Sequence, residues 1–370
     1  MPSVDPNDPS SFNHRFVIAG KGHRYHVVDQ PPVNWVGNVE DAPTLLLCHG
    51  FPDLWYGYRY QIHAFAARGW RVLCPSQLGY GETDSPRDLE SYSFKSVAYD
   101  MNLLLDACGV KGKVVVVGHD WGGAVAWRFV NYFPHRVLAV ACVCTPYTAP
   151  ATPSTPSISD ETLIRKFLPN FGYQLWFKQP EATGQLEEVL EHFLQPMHSP
   201  EFRRKASEKE KAKKGMGSWV AEGRLEQSVK QQIEAKRAGK LPSPPAEKEL
   251  DFYLSTYRKS GMEGPLSWYK TRAVNRAEEQ EANLPPFPSH IPALQLPAEL
   301  DAALPPRMCL APSVFKSFPA GNLEVKVIEG ADHWLLQDER TRDKVTNILG
   351  DWIEKVLAGK WKPSSVESRL

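Results

Sequence analysis

The segment Gly118-His119-Asp120-Trp121-Gly122-Gly123 centres a carboxylate in a small-x-acid-x-small turn, between an apolar run and a stretch of helical spacing. Turns of this kind lift a nucleophile above the end of a strand, and their strained backbone requires small flanking residues. The spacing points to Asp120 as nucleophile, with Gly118 and Gly122 as the small residues that let the turn close. A helix beginning behind the turn would aim its free amides at negative charge. The competing reading is an ordinary glycine-rich strand–helix turn with a solvent-exposed Asp. A dinucleotide site is disfavoured because Gly-x-Gly-x-x-Gly is absent. A second turn, His49-Gly50-Phe51-Pro52-Asp53, follows another short apolar run. The backbone N–H groups of Phe51 and Trp121 are then the expected oxyanion hole, with His49, Gly50 and Pro52 shaping the loop. Gly79-Tyr80-Gly81 reads as a third tight turn with a structural role.

The elements that must position these groups form a strand–helix alternation. A hairpin is expected over 15–29, strands over 44–48, 70–74, 114–117 and 137–144, and helices over 94–109 and 124–133. The strands are almost uniformly apolar, as in a mainly parallel sheet covered on both faces. The alternation stops after Thr145-Pro146: residues 147–160 are rich in Pro, Ser and Thr, and 161–285 is helix-like. Mixed charges over 201–214 read as a solvated helix face, and a proline-containing loop interrupts at 241–245. Strands resume over 291–296 and 323–328, and an amphipathic helix closes the chain over 340–357. The expected organisation is an α/β core over 1–146 and 286–370 that carries a helical lid over 147–285.

From about residue 15 to 358 these motifs resemble the α/β-hydrolase fold epoxide hydrolases of the soluble type. The resemblance implies a mainly parallel eight-stranded sheet flanked by helices, with an inserted helical lid. His49-Gly50-Phe51-Pro52 is similar to the family's oxyanion loop and Gly118–Gly123 to its nucleophile motif; haloalkane and fluoroacetate dehalogenases share both. Phe171-Gly172-Tyr173-Gln174-Leu175-Trp176-Phe177 and Gly264-Pro265-Leu266-Ser267-Trp268-Tyr269-Lys270 resemble the two lid segments that carry epoxide-activating tyrosines. This implies that Tyr173 and Tyr269 donate hydrogen bonds to the epoxide oxygen; the alternative is two tyrosines packed in a lid core. His333, in Glu329-Gly330-Ala331-Asp332-His333-Trp334 after a late strand, fits the order nucleophile, acid, histidine. Residues 291–296 followed by Pro297-Ala298-Glu299-Leu300-Asp301 match the family's strand-to-acid segment and make Asp301 the orienting acid, with Glu299 and Asp332 as fallbacks. The apolar run 308–311 has no carboxylate just after it. Two features depart from the family: Gln77 stands where aspartate is usual, and the lid is long and highly charged over 196–260. The implied reaction is epoxide plus water to vicinal diol through an Asp120 ester, with no cofactor and no metal. A dehalogenase of haloalkane or haloacid type on the same scaffold, and a non-catalytic binding protein, are the alternative readings.

Composition bounds the partners. Lys and Arg number 43 and Asp and Glu 43, so zero net charge offers no general attraction to nucleic acid or acidic membranes. No run of about 18 apolar residues suggests a membrane span. The expected partners are a small, apolar epoxide and water, with oligomeric state unspecified. Six cysteines lie in or beside apolar runs without a CxxC pair, which suggests buried thiols and an intracellular setting. The N-terminus lacks the basic and apolar regions of a secretory signal. Cytoplasm is the default location, and Ser368-Arg369-Leu370 resembles the Ser-Lys-Leu peroxisomal address.

Overall fold

The computed structural model describes residues 4–210, without the side chains of 206–210, and 219–363; the C-terminal tripeptide lies outside the described residues. Eight strands form one sheet: β1 (His14–Ala19), β2 (His23–Gln30), β3 (Thr44–Cys48), β4 (Arg71–Pro75), β5 (Val114–His119), β6 (Val137–Val143), β7 (Ala293–Leu296) and β8 (Leu323–Val325). Their order across the sheet is β1-β2-β4-β3-β5-β6-β7-β8. The β1–β2 hairpin joins β4 antiparallel, and every pairing from β4 to β8 is parallel.

Central β5 shows why the sequence settles here. Its four consecutive valines are stiff at χ1 and suit a pleated surface, and all six of its residues are buried. Flanking β3 and β6 set its register from both sides, pairing Gly118 with Cys48 and with Cys142. Each buried valine contributes roughly 1.5–3 kcal/mol of hydrophobic stabilisation, so a slip of this strand is costly.

Helices α1 (Arg59–Ala67), α2 (Phe94–Ala107) and α3 (Trp121–Tyr132) follow β3, β4 and β5. After β6 the chain leaves the sheet for α4 (Asp160–Phe167), α5 (Tyr173–Phe177), α6 (Ala182–Glu188), α7 (Leu190–His198), α8 (Pro200–Glu210), α9 (Arg224–Arg237), α10 (Lys248–Ser260), α11 (Glu263–Ser267) and α12 (Arg272–Ala282). It returns at β7, and α13 (Pro306–Cys309), α14 (Pro312–Lys316) and α15 (Arg342–Leu357) complete the core.

Three details differ from the sequence expectation. Helix α3 begins at Trp121, three residues early, because the Asp120 carbonyl already accepts from the amides of Gly123 and Ala124 at 2.9 and 3.2 Å. β8 is short, and Ile328 rejoins the sheet edge only through a bridge to Ala298. The charged stretch is not solvated throughout: Arg203 on α8 has a side chain only 10% exposed.

The insertion is tied to the core by buried polar contacts. Arg128 on α3 donates to Glu279 of α12 at 2.6 Å, and the other Glu279 oxygen accepts from the Ala151 amide at 2.7 Å. One carboxylate therefore binds both ends of the insertion to the helix behind β5.

Candidate active site

The strand order reverses around β3 and β5, the position at whose carboxyl edge open α/β sheets bind ligands. Asp120 follows β5 there with φ +52° and ψ −122°, a region L-residues seldom adopt. The turn is held by Thr145, whose hydroxyl donates to the Asp120 carbonyl at 2.7 Å. Close packing explains two glycines. A Cβ on Gly122 would lie 2.0 Å from the Cys48 carbonyl oxygen, and one on Gly50 would lie 2.4 Å from Asp120 Oδ1. Phe51 N donates to Asp120 Oδ1 at 2.8 Å and the Trp121 amide also hydrogen-bonds this carboxylate, so both expected oxyanion donors converge on one group. His49 braces the loop: its Nδ1 donates to the Gly50 carbonyl at 3.0 Å while Nε2 accepts from the Gln77 amide at 2.9 Å.

His333, in the loop beyond β8, presents Nε2 to Asp120 Oδ2 at 3.7 Å, outside hydrogen-bond range. Its Nδ1 lies 2.6 Å from Asp301 Oδ2. Asp301 follows β7, and its Oδ1 accepts from the amides of Ala303 and Leu304 at 2.9 and 2.8 Å. The fallback carboxylates are engaged elsewhere: Glu299 accepts from the Gly330 amide and Asp332 from Trp334 N. Burial pushes the Asp120 carboxyl above its ordinary range, against the His333 charge and the two amides. Burial acts the same way on Asp301, yet the charge and hydrogen bond of His333 outweigh it and hold that carboxyl low. Burial disfavours the His333 cation, but the Asp301 charge and hydrogen bond, aided by Asp120, hold its pKa up to about 9.

The helical insertion brings Tyr173 and Tyr269 to the same place. Both are buried, with ring centroids 6.2 Å apart, and their hydroxyls are hydrogen-bonded to each other. The Tyr269 ring stands 5.3 Å from Phe51 and 5.1 Å from Trp121, edge-on to the residues that donate to Asp120. Burial, with the neighbouring Asp120 charge, pushes both phenols above their usual pKa, so they are protonated donors at neutral pH. Tyr269 is placed by its neighbour, since Trp268 Nε1 donates to the Leu78 carbonyl at 3.0 Å in the turn after β4.

Several supporting groups carried no distinctive signal in the sequence. The Nε2 of His119, a residue that burial and the His333 charge keep neutral with a pKa of about 3, donates to the His333 carbonyl at 2.9 Å. The Cys144 thiol hydrogen-bonds Asp301. Asp53 is buried behind the oxyanion loop, where desolvation raises its pKa to about 6 against hydrogen bonds from the Tyr253 hydroxyl at 2.6 Å and Leu54 N at 2.8 Å. All of these contacts but the last span distant parts of the chain. The ligand atoms of His119, Cys144 and His333 lie within 4.8 Å of one another, and their bonds to the His333 carbonyl and Asp301 account for the cluster as support for the acid–histidine pair.

A family profile described as the α/β hydrolase fold matches residues 43–339. The bifunctional epoxide hydrolase 2 of Sus scrofa is 32% identical over 95% of this chain, which spans 58% of that protein's length. Epoxide hydrolase A of Mycobacterium tuberculosis is 31% identical over 80% of this chain and 86% of its own. Among solved structures, epoxide hydrolase VrEH1 from Vigna radiata superposes with a TM-score of 0.70 at 24% identity, over 94% of this chain and 99% of that one, a likeness of fold. The chain belongs to the α/β-hydrolase fold family and, within it, to the branch whose members carry the name epoxide hydrolase.

Proposed function

We propose that the chain hydrolyses an epoxide to a vicinal diol through an alkyl ester on Asp120, with residues 147–285 acting as the cap domain over a core of 1–146 and 286–370. The observation that carries this reading is the meeting of a doubly amide-bonded carboxylate with two protonated phenols from the insertion. A carboxylate suits a strained sp³ carbon because its attack needs no prior deprotonation.

In the first step an Asp120 oxygen bonds to an epoxide carbon as the ring C–O bond breaks toward oxygen. Tyr173 or Tyr269 gives that oxygen a proton, with the second phenol as hydrogen-bond donor. Ester formation removes the Asp120 charge, one of the charges that hold the proton on His333. The imidazolium then gives its extra proton to solvent and becomes a competent base, regaining that proton when the Asp120 carboxylate is restored. In the second step His333, oriented by Asp301, takes a proton from water, and the water oxygen attacks the ester carbon. The amides of Phe51 and Trp121 stabilise the oxyanion. Collapse releases the diol; of the water's two protons, one ends on the diol and the other restores the phenol.

The test is a panel of epoxides with the His333→Gln protein followed by intact mass spectrometry. The expected result is a stable adduct at Asp120 with diol release lost. Wild-type turnover by His333→Gln would overturn the roles assigned here, and halide release from a haloalkane without epoxide opening would favour the dehalogenase chemistry.

Where the protein acts is a separate proposal. Among the described residues no helix is long and apolar enough to cross a membrane. Cytoplasm is the location proposed; the alternative, peroxisomal import through Ser368-Arg369-Leu370, is tested by imaging the chain with and without those residues.

A further inference from the structure

The insertion touches the loop that carries His333 through an arginine the proposed mechanism does not use. Arg203 on α8 directs Nη2 to Asp332 Oδ1 at 2.9 Å and to Asp338 Oδ2 at 2.7 Å. These carboxylates bracket His333. Asp332 Oδ1 also accepts from Trp334 N at 2.8 Å, so it closes the backbone turn around the histidine. Asp338 N is bonded to the Trp334 carbonyl at 3.1 Å, so the segment 334–338 is itself a tight turn. Arg340 reinforces this end, reaching Asp338 through Nε and Nη2 at 2.8 and 2.6 Å. Burial would raise the Asp338 carboxyl, but the Arg340 hydrogen bond and the Arg203 charge hold its pKa down to about 2, so it stays charged. On the opposite side His119 holds the His333 carbonyl. The backbone at His333 is thus pinned from the core by His119 and from the insertion by Arg203.

The geometry points to Arg203 as a positioning residue that ties the insertion to the placement of the His333 imidazole. This inference rests on the two-step reading above. The two steps should respond unequally. Alkylation needs Asp120 and the phenols, neither of which touches the Arg203 network. Ester hydrolysis needs Nε2 at its place beside the Asp120 carboxyl, and a small displacement of a general base costs about 10- to 100-fold in rate. An arginine that served stability alone would leave the ratio of the two rates unchanged.

The experiment is single-turnover and steady-state kinetics on an epoxide that the wild-type protein opens, with intact mass spectrometry of the enzyme during turnover. Arg203→Ala is expected to slow ester hydrolysis by about 10-fold or more while alkylation changes far less, so the Asp120 adduct accumulates. Arg203→Lys, which keeps the charge without the rigid guanidinium, is expected to restore part of the hydrolysis rate. Asp332→Asn, which keeps the acceptor for Trp334 N but loses the charge, should fall between. A folded Arg203→Ala protein with the wild-type ratio of the two rates overturns the inference. If Arg203→Ala does not fold, the same ratio in both Arg203→Lys and Asp332→Asn overturns it. Should the wild-type protein open no epoxide, the functional reading fails separately. The positioning role is then read from the low-field proton resonance of the His333–Asp301 hydrogen bond, which must shift or broaden in Arg203→Lys; an unchanged resonance overturns it.

Discussion

The sheet edge and the helical insertion hold their functional groups by different means. At the sheet edge both carboxylates are fixed by backbone, amides of Phe51 and Trp121 on Asp120 and amides of Ala303 and Leu304 on Asp301, while neutral His119 holds the His333 carbonyl. In the insertion, Tyr173 and Tyr269 sit among ring edges, with Phe177 at 5.3 and 4.9 Å from them. Backbone donors anchored just beyond the ends of paired strands tolerate almost no displacement, whereas aromatic edges give surface complementarity with shallower orientational preference. The difference teaches a division of labour. Under the proposed mechanism, the sheet would supply the part of the chemistry common to any ester intermediate, and the insertion the part that depends on which molecule is opened.

The largest effect should come from the sheet edge. Asp120→Ala is expected to lower epoxide turnover by on the order of 10⁴-fold or more, measured as diol formation, with little change in fold. Removing both phenols by Tyr173→Phe and Tyr269→Phe should cost about 10²- to 10⁴-fold, all of it in the alkylation rate. If that double variant instead slowed ester hydrolysis, the division between the regions would collapse. The seam between them is open to a stability test: Arg128→Met leaves Glu279 buried without its cation and should cost about 3–5 kcal/mol of stability, measured by denaturant unfolding.

The smallest effect concerns pH. His333 has a folded pKa raised to about 9, above the unfolded value of about 6.5. Its contribution to stability is therefore full below about pH 6.5 and is lost as pH rises through 9. The difference in melting temperature between wild type and His333→Gln should shrink steadily across that window. A difference independent of pH there would show that His333 carries no extra proton in the folded protein.

Much of this arrangement was legible because it is local. The valines of β5, the small residues around Asp120 and the His49–Pro52 turn announce strand, elbow and loop within a few positions. Tyr173 and Tyr269 were placed by resemblance of their flanks, since no periodicity distinguishes them from the other tyrosines. Unreadable groups act at long range. Arg203 looked like one member of a solvated charge run, and only its partners about 130 residues away, at Asp332 and Asp338, bury it. Cys144 read as one of the buried thiols and Trp268 only as a flank of Tyr269, because nothing in their neighbourhoods shows which carboxylate or carbonyl they will meet.

The sequence by itself determined the order of strands and helices, the turn that strains Asp120, and the residue types able to act there, because backbone preference and burial patterning are short-range properties. Tertiary structure alone decided which charges face one another. The proton affinity of His333, the pairing of the two phenols above Asp120 and the clasp of Arg203 on the histidine loop all depend on distances between segments far apart in the chain. Electrostatic interaction at low dielectric is set by those distances.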